Sequence, residues 1–343
     1  MMTSVLVIGG TRFIGLHTVV RLVELGCDVT VFHRGRTESD DAPPVRHIHA
    51  DRRDILGHRA DFERVAPDVV LDMVPLTRAE AVDTMMSIAG VAGRIVGISS
   101  QDVYLAHDIL RGRAHLPPVP IPIDENAPLR TLRYPYRDMV AADSPLYDYD
   151  KITVEESYLA DPDLPGTILR LPAVYGPGDY QHRPYPYLKR MLDHRPAILI
   201  DEAASQWQWS RSFVDNVAEA IALAVTDERT RGRIYNVADR PGRTEMQWIR
   251  AIADQVGWTG EVIPMPRDLL PEHLRDDMNL HQSLVADSSR IREELGYSEP
   301  VTFADAIRLT IDWERATMPA ELPPHRFDYA AEDDATPDLT LGL

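Results

Sequence analysis

The stretch VLVIGGTRFIG, residues 5–15, decides the fold. Its first four residues, VLVI, are apolar and mostly β-branched, a run suited to a strand buried on both faces. LHTVVRLVELG (16–26) follows, with its apolar residues on one helical face and Gly26 as a C-terminal stop. Between them stand Gly9, Gly10 and Gly15, with Thr11, Arg12, Phe13 and Ile14 completing the turn. Glycines at a strand-to-helix junction permit a tight turn and close approach of the backbone to a pyrophosphate. The helix N-terminus then offers unpaired N–H groups and partial positive charge. Where many such turns carry a middle glycine, this one carries a cation, Arg12.

Outward from the turn the pattern repeats. VTVF (29–32), VRHIH (45–49), VVLD (69–72), RIVGIS (94–99), TILRL (167–171) and GRIYNV (232–237) read as strands, with helical stretches such as 77–91 between some of them. The alternation predicts an α/β fold: a Rossmann-type doubly wound parallel sheet with a smaller C-terminal substrate lobe. The dinucleotide-binding domain is assigned to 1–171 plus 212–238, and the substrate lobe to 172–211 plus 239–320. Residues 105–146 contain seven prolines and are expected to form an irregular excursion over the sheet edge. The acidic, aperiodic tail 321–343 is expected to be poorly ordered or pinned only locally.

The second strand ends VFHRGR (31–36). A carboxylate roughly 20 residues past the turn usually takes a free ribose 2′-hydroxyl. Here His33, Arg34 and Arg36 stand instead. A guanidinium pairs with a 2′-phosphate, which a carboxylate would repel. Arg12 lies on the same side of the fold, so NADP(H) is favoured, with NAD(H) as the alternative. In HADRRD (49–54), Asp51 is placed near the adenine edge; Arg52 and Ser99 complete the cofactor set. His47 and His49 share one face of their strand with Asp51. No further His/Cys cluster supplies a third and fourth ligand, so no metal site is expected.

Two later stretches carry chemistry. ISSQDVY (98–104) lies at the C-terminal end of the fifth strand, where open α/β sheets bind ligands. YDYDK (147–151) is read as opening a helix, which puts Tyr147 and Lys151 one turn apart on one face. Tyrosine is a poor base at its usual pKa of ~10. A nearby ammonium and an oxidised nicotinamide both favour its phenolate, making Tyr147 the expected proton donor or acceptor. Ser100 is expected to hydrogen-bond the same substrate oxygen, and Lys151 to hold the nicotinamide ribose. Tyr149, two residues from Lys151, is expected to point elsewhere. Asp102 is a candidate second base or substrate contact. Gln101, Ala173, Val174, Asp179, His182, Arg183 and Trp209 are candidates to face substrate. Trp207 and Trp209, on one face of a strand, serve either ring stacking or the core of the lobe.

These motifs, in this order, resemble the extended short-chain dehydrogenase/reductases, the NAD(P)-dependent epimerase/dehydratase family, over roughly residues 3–315. GGTRFIG stands where that family has a GGxGFIG-like turn. Ser100 with Val103-Tyr104, Tyr147 with Lys151, LRLPAVYGPGD (169–179), FVDNVAEAIALAV (213–225) and YNVA (235–238) match its later segments. GGTRFIG and VFHRGR also resemble an atypical branch that includes plant chloroplast RNA-binding proteins. The resemblance implies hydride transfer at nicotinamide C4 and a homodimer through the helix bearing Tyr147 and Lys151. Departures narrow it. Ala173 replaces an asparagine that binds sugar-nucleotide pyrophosphate. Ser100-Gln101-Asp102 replaces the Thr-Asp-Glu of sugar 4,6-dehydratases, and an amide cannot be the general acid for water loss.

Composition excludes other classes. Fifty-four acids against 36 bases give a net charge of −18, which argues against nucleic acid or an anionic membrane as partner. No apolar run approaches the ~18–20 residues of a bilayer span. The single Cys27 precludes an intrachain disulfide. With no leader visible at the N-terminus, a cytoplasmic oxidoreductase or epimerase acting on a small, sugar-like carbonyl or secondary alcohol is the expectation. A non-catalytic NADP(H) sensor and an RNA binder are the alternatives.

Overall fold

Strand β1 (Ser4–Ile8) feeds two cores. Val5 and Val7 pack with Val19 and Leu22 of helix α1 (Phe13–Glu24), while Leu6 and Ile8 pack on the opposite face with Phe32, Phe62 and Val70. A strand apolar on both faces must be covered on both, and this burial is why the run lacks polar alternation. The structure, a computed structural model, describes residues 2–39, 42–319 and 326–336.

Six further strands join β1: β2 (Asp28–His33), β3 (Arg46–His49), β4 (Val69–Asp72), β5 (Arg94–Ser100), β6 (Gly166–Leu171) and Ile234–Asn236. All pair in parallel, in the order Ile234–Asn236, β6, β5, β4, β1, β2, β3. The strands run outward in both directions from β1 and β4, so the carboxyl ends of these two flank the topological switch point. Ligands of doubly wound sheets bind in that crevice.

The first apolar cluster continues from α1 through the helix Val214–Thr226 to Trp248 and Ile252 of the helix Glu245–Val256 and Ile307 and Ile311 of the helix Phe303–Ala316. Beyond them, Ala197–Asp201 pairs in parallel with Glu261–Met265. This strand pair and the helices Glu245–Val256 and Phe303–Ala316 fall in the ranges assigned to the substrate lobe, whereas Val214–Thr226 falls in the range assigned to the dinucleotide-binding domain.

The proline-rich excursion starts with a helix, Leu105–Leu110, and is then pinned through Arg130. That guanidinium is fully buried, pairs with the equally buried Asp150 at 2.7 Å, and donates to the carbonyls of Asp102 and Leu132. Part of the tail also has a fixed seat. Residues Tyr329–Ala335 form a helix whose Glu332, 2% exposed, takes Arg190 and His273, while Tyr329 donates to Asp193. Residues 321–325 and 337–343 lie outside the described residues.

Candidate active site

The turn after β1 is built as its glycines require. Gly10 has φ +87°, and a Cβ on Gly15 would stand 2.7 Å from the Gly10 Cα, so turn and helix touch only because both lack side chains. Arg12 is the N-cap of α1 with extended backbone, and its side chain caps nothing. No acid lies in the first helical turn. This 12-residue helix therefore presents an uncapped, electropositive N-terminus to the crevice, suited to an anion. Gly9 abuts Met73 and Val74 just past β4, and Gly178 abuts Phe13. A cleft of about 180 Å³ opens beside Gly10 and Thr11, bounded by Val31, Glu38 and His47. Thr11 is tied to Thr37 by a 2.6 Å hydroxyl–hydroxyl hydrogen bond.

At the end of β2 the cationic candidates separate. Arg12, Arg34 and Arg36 are exposed and make no side-chain hydrogen bond or ion pair among the described residues, although the charge of Arg34 reaches the Asp51 carboxylate. His33 is buried, accepts from the Gly35 N–H and meets His47 at 2.7 Å. Two expected cofactor contacts are otherwise engaged. Asp51 caps the short helix Arg52–His58 and holds Arg53, whose hydrogen bonds depress its carboxyl to about 2. Arg52 turns inward to Asp72, Val74 O and Thr84, so its guanidinium serves the fold.

The expected absence of third and fourth metal ligands does not survive the structure. His33, Glu38, His47 and His49 converge, with one ligand atom from each lying within 4.8 Å of the others. The parallel register sets His33 beside His49, and Val31 beside His47. In the sequence His33 marks only a cofactor contact, and nothing there singles out Glu38.

The largest correction concerns the tyrosines. The helix begins at Lys151, capped by Asp150, and not at Tyr147. The argument from helical spacing therefore fails, since Tyr147 precedes the first helical turn. Its half-buried ring faces Arg137 at 5.3 Å. Tyr149 is the buried one: its hydroxyl donates to Asp102 Oδ2 at 2.6 Å, and its ring lies 6.0 Å from Lys151 Nζ. An isolated bridge between Thr77 and Tyr149, and the Asp150 N–H bond to Leu76 O, hold Tyr149 and Asp150 out of the helix, while Tyr147 and Asp148 lie in turns.

Lys151 is 6% exposed and donates to the carbonyls of Pro75 and Ile98, past β4 and within β5. Burial pushes its pKa down to about 8. Burial, followed by the negative charge of Asp102, raises the Tyr149 phenol well above its ordinary value, so it is a neutral hydrogen-bond donor at pH 7. Asp102 Oδ1 and Gln101 Oε1 are buried with no hydrogen-bond partner among the described residues. His107 beside them is pushed down to about 4, chiefly by burial. Ser100, half-buried at the end of β5, accepts from the Asp102 N–H. Ser99 instead donates to Glu155 at 2.5 Å, within a buried network in which Glu155 grips Arg170 and Arg170 reaches Tyr104.

Several substrate candidates also have internal work. Asp179, fully buried, takes Arg183, which donates to Val174 O as well. His182 bonds Glu314 and stacks on Trp313 at 5.3 Å. Gln101 donates to Val237 O. Ala173 and Val174 are buried in a short strand, Ala173–Tyr175. Trp207 does not share a strand with Trp209: it closes the helix Glu202–Gln206, donates to Gln282 O and packs in the core. Trp209 stays half-buried, with the Arg211 guanidinium 5.2 Å from its ring.

The profile of the NAD dependent epimerase/dehydratase family matches residues 5–107 and 125–238, more than half of the chain. Among curated proteins, the chloroplast stem-loop binding protein of 41 kDa b of Arabidopsis thaliana is 25% identical over 248 residues, covering 68% of this chain and 58% of that one. A dTDP-glucose 4,6-dehydratase of Streptomyces niveus is 25% identical over 142 residues, 41% and 39% of the two chains. The chain thus spans only about four to six tenths of these relatives' lengths. Among solved structures, the UDP-glucose 4-epimerase of Thermotoga maritima with UDP-glucose has a TM-score of 0.67 at 18% identity, covering 92% of this chain and 99% of that one. The Thermus thermophilus UDP-glucose 4-epimerase complex with NAD has a TM-score of 0.63 at 23% identity, with the same coverage.

Proposed function

The chain belongs to the NAD-dependent epimerase/dehydratase family of extended short-chain dehydrogenase/reductases, and within it we propose an NADP(H)-dependent oxidoreductase acting on a carbonyl or secondary alcohol of a small, sugar-like compound. The observation that carries this reading is the buried Asp102–Tyr149–Lys151 group beside the carboxyl ends of β4 and β5. It adjoins the glycine turn, because Gly9 packs on Val74 and Lys151 is bonded to Pro75 O. When bound, the nicotinamide supplies or accepts hydride.

The chain's own groups supply the rest. Tyr149, held neutral by burial and by Asp102, rests with its one hydroxyl proton on Asp102 Oδ2 and becomes the proton donor by turning that O–H from Asp102 to a substrate oxygen. Ser100 offers a second hydrogen bond to that oxygen. Lys151, charged below about pH 8, favours negative charge developing there. A donor rather than a base fits carbonyl reduction better than epimerisation. Ala173 in place of the pyrophosphate-binding asparagine argues against a nucleotide-sugar, although the neighbouring epimerase structure holds UDP-glucose.

NADP(H) is favoured over the NAD seen in the Thermus neighbour, because Arg12 at the start of α1 and Arg34 and Arg36 past β2 are exposed and form no ion pair or side-chain hydrogen bond among the described residues. A homodimer is part of the same reading. Val82 and Met86 on the helix Arg78–Ile88, and Leu159 after Lys151–Tyr158, are exposed apolar groups on neighbouring helices. The −18 charge disfavours a nucleic-acid partner. NADPH oxidation against a panel of sugar-like aldehydes and ketones tests the function. Turnover abolished in Tyr149→Phe and retained in Tyr147→Phe supports it. Full activity in Tyr149→Phe refutes it, as does cofactor binding without any turnover, which would leave a sensor.

A further inference from the structure

At the ends of β2 and β3, three imidazoles and one carboxylate converge outside the proposed reaction centre. His33 and His49 are register neighbours, and His47 lies two residues before His49 on the same face of β3. His33 Nε2 is 2.7 Å from His47 Nδ1 and 3.5 Å from Glu38 Oε1, and Glu38 Oε1 is 2.7 Å from His49 Nε2. The ring centroids are 4.8, 4.9 and 5.7 Å apart. Around a tetrahedral ion with bonds of ~2.0–2.1 Å, ligand atoms sit roughly 3.3 Å from one another. The observed separations straddle that value, so small side-chain rotations suffice to enclose an ion.

We infer that His33, Glu38, His47 and His49 form a binding site for a divalent transition-metal ion of the zinc class. Three neutral imidazole nitrogens and one carboxylate oxygen suit zinc, cobalt(II) or nickel(II) better than magnesium or calcium, which prefer oxygen alone. Nothing else is required of the imidazoles except that they be unprotonated. Burial of His33 and the proximity of His47 and His49 already disfavour its charged form, while Glu38 acts in the opposite sense. One rearrangement accompanies loading. Without metal, the Gly35 N–H donates to His33 Nδ1, which leaves the His33 proton on Nε2 facing His47. Metal at Nε2 moves that proton to Nδ1 and exchanges the Gly35 hydrogen bond for a metal bond. With four protein ligands the site is of the closed, structural type. Its effect is to fasten the loop bearing Arg34, Arg36 and Glu38 to β3, above the cleft beside Thr11 and Thr37.

The test uses the untagged full chain, stripped with chelator and titrated with Zn²⁺ against a chromophoric competitor, then with Co²⁺ followed by visible absorption. The site predicts one saturable ion per chain, a tetrahedral cobalt spectrum and a higher melting temperature with zinc. Because His47 and His49 are exposed, the double variant His47→Ala/His49→Ala should fold. It is expected to lose at least the roughly 100-fold in zinc affinity at the upper end of what outer-shell changes alone cost. Absence of saturable binding overturns the inference. So does binding of unchanged affinity in the double variant, or an octahedral cobalt spectrum. None of these readouts involves the nicotinamide cofactor, so the inference stands or falls independently of the proposed function.

Discussion

At the end of β5, Asp102, Tyr149, Lys151, Arg130 and Asp150 are buried and bonded to one another or to backbone carbonyls. Arg12 at the start of α1, and Arg34 and Arg36 past the end of β2, stand in solvent without a side-chain hydrogen bond or ion pair among the described residues. The two groups hold charge in opposite ways. Buried charge is tolerated only when paired, and pairing also fixes its geometry, which a proton-transferring group needs. Exposed guanidinium groups cost the free protein little and remain available for an anionic ligand that arrives later. On the proposed reading, one end is pre-organised for a reaction and the other kept open for recognition.

The sharpest way to break this contrast is to unpair one charge at the buried end. Arg130→Met leaves Asp150 buried without its cation and should cost about 3–5 kcal/mol in urea denaturation. Arg34→Ala, at the exposed end, should stay within about 0.5 kcal/mol of the parent. Equal losses would erase the distinction.

The next test asks which tyrosine belongs to the reactive end. Tyr149→Phe should lower turnover by about 10²–10⁴-fold, and Tyr147→Phe should leave it within about twofold. Single-turnover NADPH oxidation reads both. A reversed order would restore the helical-spacing argument and mean that residues 147–150 rearrange when ligand binds.

At the recognition end, Arg34→Ala and Arg36→Ala should each weaken NADPH binding by about tenfold, or ~1.4 kcal/mol, while leaving NADH binding unchanged. The smallest expected effect is on pH. Burial lowers Lys151 to about 8, so its ammonium is lost as pH rises through that value. Turnover should show a falling limb there, absent in Lys151→Met at its residual rate. Stability runs the other way. The cost of the buried charge is present below about pH 8 and is relieved as pH climbs toward the ordinary lysine value, so Lys151 makes the protein more stable across that window.

The sheet was readable because burial on both faces leaves an unbroken apolar run, as in Val5–Ile8, and because glycine at Gly10 and Gly15 answers a local backbone demand. Asp102 was named because it follows a strand end that the apolar pattern marks, and Lys151 because of its spacing from Tyr147, although the helix starts at Lys151 itself. Tyr149 was not readable. A four-residue spacing means a shared face only inside a helix, and the Thr77 bridge and Asp150 cap that hold residues 147–150 out of the helix are tertiary facts. The His33–His49 pairing was hidden similarly, since it depends on the register of two parallel strands that no turn connects directly. Arg52, Asp179 and Arg183 show the converse. Their charges suggested ligands, but each is consumed by a partner brought into place by the fold.

The central claim is that the exposed arginines past the end of β2 receive the 2′-phosphate of a cofactor whose nicotinamide end lies at the Tyr149 centre. Its most direct test is to denature the purified protein, identify any nucleotide released, and titrate the emptied protein with NADPH and NADH by fluorescence. The account predicts released NADP(H), or an empty site that binds NADPH at least about tenfold more tightly than NADH, with that preference lost in Arg34→Ala/Arg36→Ala. Released NAD⁺, or equal affinity for the two reduced cofactors, would contradict it.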